Sequence, residues 1–404
     1  MAKVITTELQ HSGASGANIT LDSSKNVTCE NNLTVDGNIS VAGTGLTDTK
    51  SFRNKFQNGA CQINQRGNST GVTSSGYYGP DRWRTNFSSC GTWSISQDTE
   101  SPDGFGYSYK LDCTTADASP AASDEVALNI RLEGLDLQDL AYGTSSAKST
   151  TVSFWVRCTK TGNFQVNLKN NDRNRICGGT ATISSANTWE KKTITYPGDT
   201  TSSQVIDNDN ASAFQIEMYF DAGSDLKGGT TPSAWEARVN TDRAANTTLA
   251  LADNTANILY MTGLQFEIGS TATDFEHRSY DSELARCQRY FQQWTGENCG
   301  NFAGRWNGAN NFVYAIPLIK PFRASPSIEC KANDTSGSGN GEWKVFREDG
   351  ASTCTNVPTV RSWTANTPQI LMNLDGLSSG TDDRVGSIQA TLSASGFLRL
   401  SAEL

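Results

Sequence analysis

Two serines stand in the frame of a nucleophile elbow, Ser69 in "GNSTG" and Ser378 in "GLSSG". That elbow requires a strand before it, a helix after it, and a histidine and a carboxylate to complete the relay. Both matches lie in Gly/Ser loops, and the two histidines are His11 and His277, neither of which follows Ser378. Serine-hydrolase chemistry is therefore set aside. With 42 acidic residues, a carboxylate pair for glycoside cleavage is not excluded by counting, because such a pair is defined by its separation in space. The segment "VIDNDNAS" offers oxygen ligands for a hard cation such as Ca²⁺, but not in the order of an EF-hand loop, and reads as a polar loop. The expectation is a chain that is not an enzyme, with no catalytic residue, no metal site and no cofactor.

A different chemistry is open to the aromatic and amide residues. An aromatic ring packs on the apolar face of a pyranose while Asn, Asp, Gln or Arg side chains bond its hydroxyls. Nine Trp and many Asn supply the materials. Trp83 in "PDRW", Trp155 in "VSFWVR" and Trp189 in "NTWEKK" read as core or sheet-packing residues. Asp81 and Arg82 read as an ion pair that fixes a turn, and His277 as a packed or hydrogen-bonded residue at a junction. The candidates for sugar contact lie where the strand pattern fails: Tyr77 and Tyr78 in a Gly/Ser loop, Trp235 in "TPSAWEAR", and Trp306, Trp343 and Trp363 near the end of the chain.

Bulk properties narrow the partners. A formal net charge of -9 argues against nucleic acid, whose binders cluster Lys and Arg on one face. No stretch approaches the length of apolar sequence that crosses a bilayer, so no membrane insertion is expected, and "AKVITTELQHSGASGANIT" carries no apolar signal region. The ten cysteines are scattered without a C-x-x-C pair and read as small buried apolar residues in a chain folding under reducing conditions. Asn-x-Ser/Thr matches then follow from an Asn/Thr-rich composition rather than from glycosylation.

The elements that would position these residues are mostly strands. Near the start, Val27, Leu33 and Ile39 recur every six residues, with Cys29, Val35 and Val41 two places after each. Each step reads as a short strand with both apolar residues on one face, followed by a turn. One such ribbon buries almost nothing alone. Three copies wound about one axis would supply the missing face, so residues 1–50 are expected to form an intertwined, homotrimeric β stalk with Val27, Leu33, Val35, Ile39 and Val41 in its core, the alternatives being a flexible Asn/Ser-rich leader or a single-chain β-solenoid turn or two. From 51 to 280, segments such as 107–113, 151–159, 164–170, 191–196, 214–220 and 258–269 alternate apolar and polar residues. They predict a jelly-roll-like antiparallel β-sandwich, with "EGLDLQDL" at 133–140 as a short helical turn. The spacing of Leu284, Cys287, Phe291 and Trp294 predicts a linking helix over 281–294, capped by Asp281. Residues 295–404 return to short strands, a distal C-terminal β domain in an all-β chain.

Several phrases in this order carry a family resemblance. "FRNKFQNGACQINQRG", "GYYGPDRW", "NIRLEGLDLQDLAYGT", "TVSFWVRCTKTGNF", "TWEKKTITYPGDT" and "ILYMTGLQFEIGSTATDFEHRSYDSELARCQRYF" resemble a bacteriophage tail-fibre family whose members often carry a carbohydrate-binding-like β-sandwich. The leader "MAKVITTELQHSGASGANITLDSSKNVT" looks like the start of fibre proteins from marine phages, cyanophages in particular. The resemblance covers roughly residues 1–294 and is much weaker beyond. It implies a homotrimeric tail fibre, held by its N-terminal region to a phage tail or baseplate protein, assembled in the host cytoplasm and located in the virion. Its expected partner is a host-surface polysaccharide or lipopolysaccharide. The contrasting expectations are a purely structural decoration or connector, and a polysaccharide-depolymerising tailspike. Such tailspikes usually place catalysis on a long β-helix, and this chain has no extended solenoid repeat.

Overall fold

The computed structural model describes residues 52–295, 302–308, 310–331, 343–347, 350–354, 359–362, 368–377, 385–390 and 397–404, some of the terminal strands by backbone alone, together with the backbone of 8–9, 19–21 and 27–29. The chain divides into two compact units, Met1–Lys50 and Ser51–Leu404. In the first, strands Glu8–Leu9, Ile19–Leu21 and Val27–Cys29 form an antiparallel sheet, with Ile19 opposite Cys29 and Leu21 opposite Val27. Val27 of the expected stalk core belongs to this ladder. Leu33, Val35, Ile39 and Val41 lie outside the described residues.

The second unit begins with a β-sandwich. Its six-stranded sheet runs Glu190–Tyr196, Thr150–Cys158, Ile258–Ile268, Ser108–Thr115, Thr92–Asp98, Ser69–Val72. The facing seven-stranded sheet runs Glu236–Ala237, Arg175–Ile183, Gly162–Asn170, Ser212–Ala222, Glu125–Glu133, Arg84–Ser88, Gly76–Tyr77. Consecutive strands repeatedly swap sheets, the jelly-roll habit that the alternating segments predicted. Each of the six expected segments is a strand here. "EGLDLQDL" is the expected interruption, two 3₁₀ turns at Gly134–Asp136 and Gln138–Leu140.

Period-2 alternation builds the core. In Glu125–Glu133, Val126, Leu128, Ile130 and Leu132 are buried in it, while Asn129 and Arg131 are directed to the other face. Rings meet across the two sheets: Phe214 stacks on Phe266 with centroids 5.7 Å apart, and Phe154 lies 5.9 Å from Phe164. Trp83 is fully buried, stacked on Tyr109 at 5.3 Å, with its Nε1 donating to the Asn58 carbonyl. The described cysteines Cys61, Cys90, Cys113, Cys158, Cys177 and Cys287 are all buried and unpaired, as their scatter suggested. Burial pushes the thiol of Cys113 up to about 11 and that of Cys177 to about 12, so both are neutral, inert packing groups at pH 7.

The linking helix is shorter than its apolar spacing predicted. It spans Tyr280–Cys287, capped by the Ser279 hydroxyl, which accepts from the Ser282 amide, rather than by Asp281. Phe291 and Trp294 belong to a strand, Phe291–Thr295, paired with the terminal strand Phe397–Ser401. The stretch "RYFQQW" is rich in aromatic residues that favour a pleated surface, and a partner strand is at hand, so sheet pairing overrides the helical spacing.

Beyond it, a three-stranded sheet orders Phe291–Thr295, Phe397–Ser401 and Ser327–Lys331. A seven-stranded sheet orders Gly350–Cys354, Trp343–Arg347, Val385–Ala390, Phe302–Trp306, Asn311–Pro317, Gln369–Asp375 and Thr359–Ser362. Trp306, Phe312, Ile316, Met372 and Leu398 share the core of this terminal part.

Charges join it to the sandwich. Arg82, fully buried, pairs with Glu403, donates to the Arg131 carbonyl at 2.8 Å and lies 3.5 Å over the Tyr290 ring. Arg66 also binds Glu403, at 2.9 Å, and covers the Phe291 ring at 3.7 Å. Asp81 accepts from the backbone and side chain of Gln65, at 3.0 and 2.5 Å, and stands 3.5 Å from Arg66. The expected Asp81–Arg82 pair is thus replaced by two separate anchorages. The chain turns here, with Arg82 at φ +71° and the Trp83 amide donating to the Pro80 carbonyl at 3.3 Å, and each side chain meets a different partner.

Candidate functional site

A cleft of about 490 Å³ opens on the sandwich, lined by Gln62, Asn64, Gln97, Gly106, Tyr107, Arg278 and Tyr280. Two rings stand in it partly free of the protein: Tyr107 is 39% exposed and Tyr280 57% exposed.

Local structure explains both. In "SPDGFGYSY" the chain turns tightly, the Phe105 amide donating to the Pro102 carbonyl at 3.1 Å and Gly104 adopting φ +88°. The Ser101 hydroxyl ties the loop by donating to the Phe105 carbonyl at 2.7 Å. The strand begins only at Ser108, so Tyr107 escapes the alternation that takes Tyr109 into the core. Tyr280 is the first residue of the helix, where its side chain leaves the cap and meets no preceding turn.

The polar wall is rigid. Gln97 donates from Nε2 to the carbonyls of Cys61 and Gln62, at 2.6 and 3.2 Å, which leaves its side-chain oxygen outside those bonds. Asn64 donates to Asn68 at 3.1 Å, and its own Oδ1 has no hydrogen-bond partner among the described residues. Arg278 donates to the carbonyls of Asn54 and Phe56, at 2.5 and 3.2 Å. It also lies 3.4 Å from Glu276 and 3.5 Å from Glu283, which offset its charge.

Beside the cleft, Phe105, Phe275 and His277 form a ring cluster with centroids 4.9 to 5.1 Å apart. His277 is the packed junction residue its context suggested, although it is exposed at the surface. Gly263 seats this cluster. Its φ is +63°, at an irregularity between two strands, and a Cβ there would meet the Phe105 ring at 2.8 Å.

An aromatic pair beside amides and a guanidinium is suited to a neutral polyhydroxylated ligand. No carboxylate lines the cleft, and among the described residues no group of three His, Cys, Asp or Glu side chains is arranged to hold a metal. In "VIDNDNAS", Asp207 is bound by Arg173 at 2.5 Å and Asp209 accepts from the Ala211 amide at 2.9 Å.

The sequence-based sugar candidates are not brought together. Trp306 is fully buried in the terminal core, because the alternation of its strand directs it inward, and it presents no face to a ligand. Trp235 packs on Tyr142 and Phe214, at 5.4 and 5.9 Å, and its Nε1 donates to the Pro197 carbonyl at 2.7 Å. Tyr77 lies in an edge strand with its hydroxyl donating to the Leu404 carbonyl at 2.9 Å, so it anchors the last residues. Tyr78 is half-buried against the sandwich core and covers Gly76, where a Cβ would meet its ring at 2.7 Å. The Trp343 side chain and all of Trp363 lie outside the described residues. Trp155 and Trp189 are half-buried, and the Trp189 ring lies 6.3 Å from Tyr260.

Sequence reasoning passed over Tyr107 and Tyr280, yet the criterion that selected Tyr77 applies to Tyr107. It stands in a Gly/Pro/Asp loop immediately before a strand. Tyr280 was concealed by the expected cap at Asp281, two residues beyond the observed cap at Ser279.

The described strands thus define an all-β chain with a jelly-roll-like sandwich. No protein-family model matches the sequence, and no curated protein matches it. Solved structures with a similar arrangement include the enzymatically active domain of tailspike protein 4 from bacteriophage CBA120, at 10% identity and TM-score 0.28, over 54% of this chain and 22% of that one. A further match is TmCBM61 in complex with β-1,4-galactotriose, at 10% identity and TM-score 0.26, over 54% and 99%. The CBM22-2 xylan-binding domain from Paenibacillus barcinonensis matches at 12% identity and TM-score 0.24, over 46% and 92%. This chain therefore spans well under two thirds of the tailspike domain. Likeness at these scores carries no argument about activity, and the functional reading rests on the cleft itself.

Proposed function

We propose that the protein is a non-enzymatic receptor-binding fibre of a bacteriophage that attaches the virion to glycans on the host surface through the Tyr107–Tyr280 cleft. The observation that carries this reading is the pairing of two partly exposed tyrosines with amide side chains held on a rigid sandwich. Rings cover the apolar face of a sugar, and the Gln97 side-chain oxygen, left outside the bonds its amide nitrogen makes, accepts from a hydroxyl. The resemblance of the ordered phrases to a tail-fibre family supports the virion setting. In this reading residues 1–50 carry the trimer and the attachment to a tail or baseplate protein, and the fibre is assembled in the host cytoplasm. Each site is weak, and three per fibre raise the effective concentration enough for firm attachment.

The test mixes purified full-length protein, and its Tyr107→Ala/Tyr280→Ala variant, with host cells and isolated surface polysaccharide. Binding by the parent without shortening of the polymer, lost in the variant, is the expected result. Shortening of the polymer would establish a glycanase, and absence of any binding would leave a connector role. Light scattering that returned a monomer of 43.5 kDa would remove the trimer.

A further inference from the structure

A second cavity, of about 430 Å³, lies beside the same helix, lined by Ser282, Ala285, Arg286, Arg289, Lys320 and Pro321. At about 100° per residue, Ser282, Ala285 and Arg286 share one helix face, and Tyr280 lies on the opposite one. The two cavities are therefore separate sites.

The character of this one is set by charge. Three cations converge on it in a chain of net charge -9. Arg289 is held by a two-pronged bond to the buried Glu133, with Nε and Nη2 at 3.0 and 2.7 Å from its two oxygens. That fixes the guanidinium in place. Arg286 stacks over the Phe52 ring at 4.9 Å, and no ion pair with a carboxylate is made by either Arg286 or Lys320 among the described residues. Asp136 lies within electrostatic reach of Arg289, Lys55 and Arg286, although burial and Glu133 beside it hold its carboxyl above the usual carboxylate range. Two cationic groups that make no close ion pair among the described residues thus face an open cavity, next to a third that is pre-oriented. A planar fork and a flexible ammonium together are the donors that bind oxyanions.

We propose that this cavity is an anion site that takes the phosphate or carboxylate group of an acidic surface glycan. The oxyanion chemistry stands on the cavity alone, and the glycan as its source rests on the function proposed above.

Titration calorimetry of the full-length protein tests it with inorganic phosphate, an oligogalacturonate and a neutral galactan oligomer of equal length, at low and at physiological salt. Phosphate or the galacturonate is expected to bind, and binding should weaken several-fold as salt rises from about 20 to about 150 mM, because screening shortens the reach of the charges. The Arg286→Gln/Lys320→Gln variant should lose at least about tenfold, as expected when charge-assisted bonds are removed. Arg286→Lys/Lys320→Arg, which keeps the charge, should retain binding, and so separates loss of the site from loss of the fold. The Tyr107→Ala/Tyr280→Ala variant should bind phosphate as the parent does, even if the glycan reading fails. Phosphate without galacturonate would assign a phosphorylated sugar or headgroup, and the reverse a uronic acid. No binding of either anion at low salt, or equal binding by the charge-removed variant, would overturn the proposal.

Discussion

Trp306 and the Tyr107–Tyr280 pair are opposite outcomes of the same kind of residue. Trp306 sits in a regular strand of the terminal part and is fully buried with Phe312 and Met372. Tyr107 and Tyr280 sit one residue outside a strand and at the first position of a helix, and both project into a cleft. An aromatic inside a regular element is taken by the core, whereas one at its margin is free to meet a ligand. Ring size and a loop-like context, the basis for choosing Trp235 and Trp306 from sequence, do not separate the two cases. The position of the element boundary does.

That contrast can be broken most severely at Trp306. Trp306→Ala should cost about 3–5 kcal/mol, as for large-to-small changes in a packed core, and leave sugar binding at the cleft intact. Urea unfolding together with a glycan-binding assay reads both quantities. Loss of binding at full stability would make Trp306 a ligand residue and reverse the comparison.

Next in size is the charged seam between the two regions. Arg82→Ala leaves the Glu403 carboxylate, the Tyr290 ring and the Arg131 carbonyl without their common partner, and should cost about 3 kcal/mol, near the lower end for breaking a buried pair. Calorimetry should then show the terminal part melting before the sandwich. A single transition at the parent temperature would show that the seam adds little.

A smaller, pH-dependent effect belongs to Asp81 on the same seam. Burial raises its carboxyl from 3.8 to about 6, with Arg66 and Gln65 pulling it back. Between those values the folded state keeps a proton that the unfolded chain has released. The stabilisation from that proton is full below about pH 4 and is lost as pH rises through about 6, a change of at most about 3 kcal/mol. Unfolding free energies of the parent and Asp81→Asn should therefore diverge across this window, the parent falling relative to the variant. Parallel curves would contradict the raised value.

The smallest stability effect is expected at the cleft. Tyr107→Ala, at a partly exposed loop position, should change unfolding free energy by no more than about 0.5 kcal/mol, while abolishing glycan retention on an affinity column. A large loss of stability would show the ring to be structural and would bring it to the same side of the comparison as Trp306.

Much of the fold was legible in the sequence because its signals are local. Alternation in "FQIEMYF" and "ILYMTGLQFEIG" needs only the period of two to mark a strand, and in "EGLDLQDL" that period breaks at Gln138 and Asp139. The helix was legible only in its first half. Leu284 and Cys287 carry its spacing, but Phe291 and Trp294 continue the count by coincidence, and only the partner strand Phe397–Ser401 reveals that they pair in a sheet. The candidate site was less legible still. Tyr107 carried a usable signal in its Gly-rich loop. Gln62, Gln97 and Arg278 carried none, because they meet only when chain segments far apart in sequence are packed together.

By itself, the sequence determined the all-β class, the sandwich strands and the apolar character of the described cysteines, since each follows from residue type and short-range spacing. Tertiary structure decided the rest. It selected which rings face solvent and brought Arg82 to Glu403 across 321 residues. It also gathered Arg286, Arg289 and Lys320 around one cavity. These are distances between segments remote along the chain. They are set by how the two sheets and the terminal part close on one another, which no local pattern encodes.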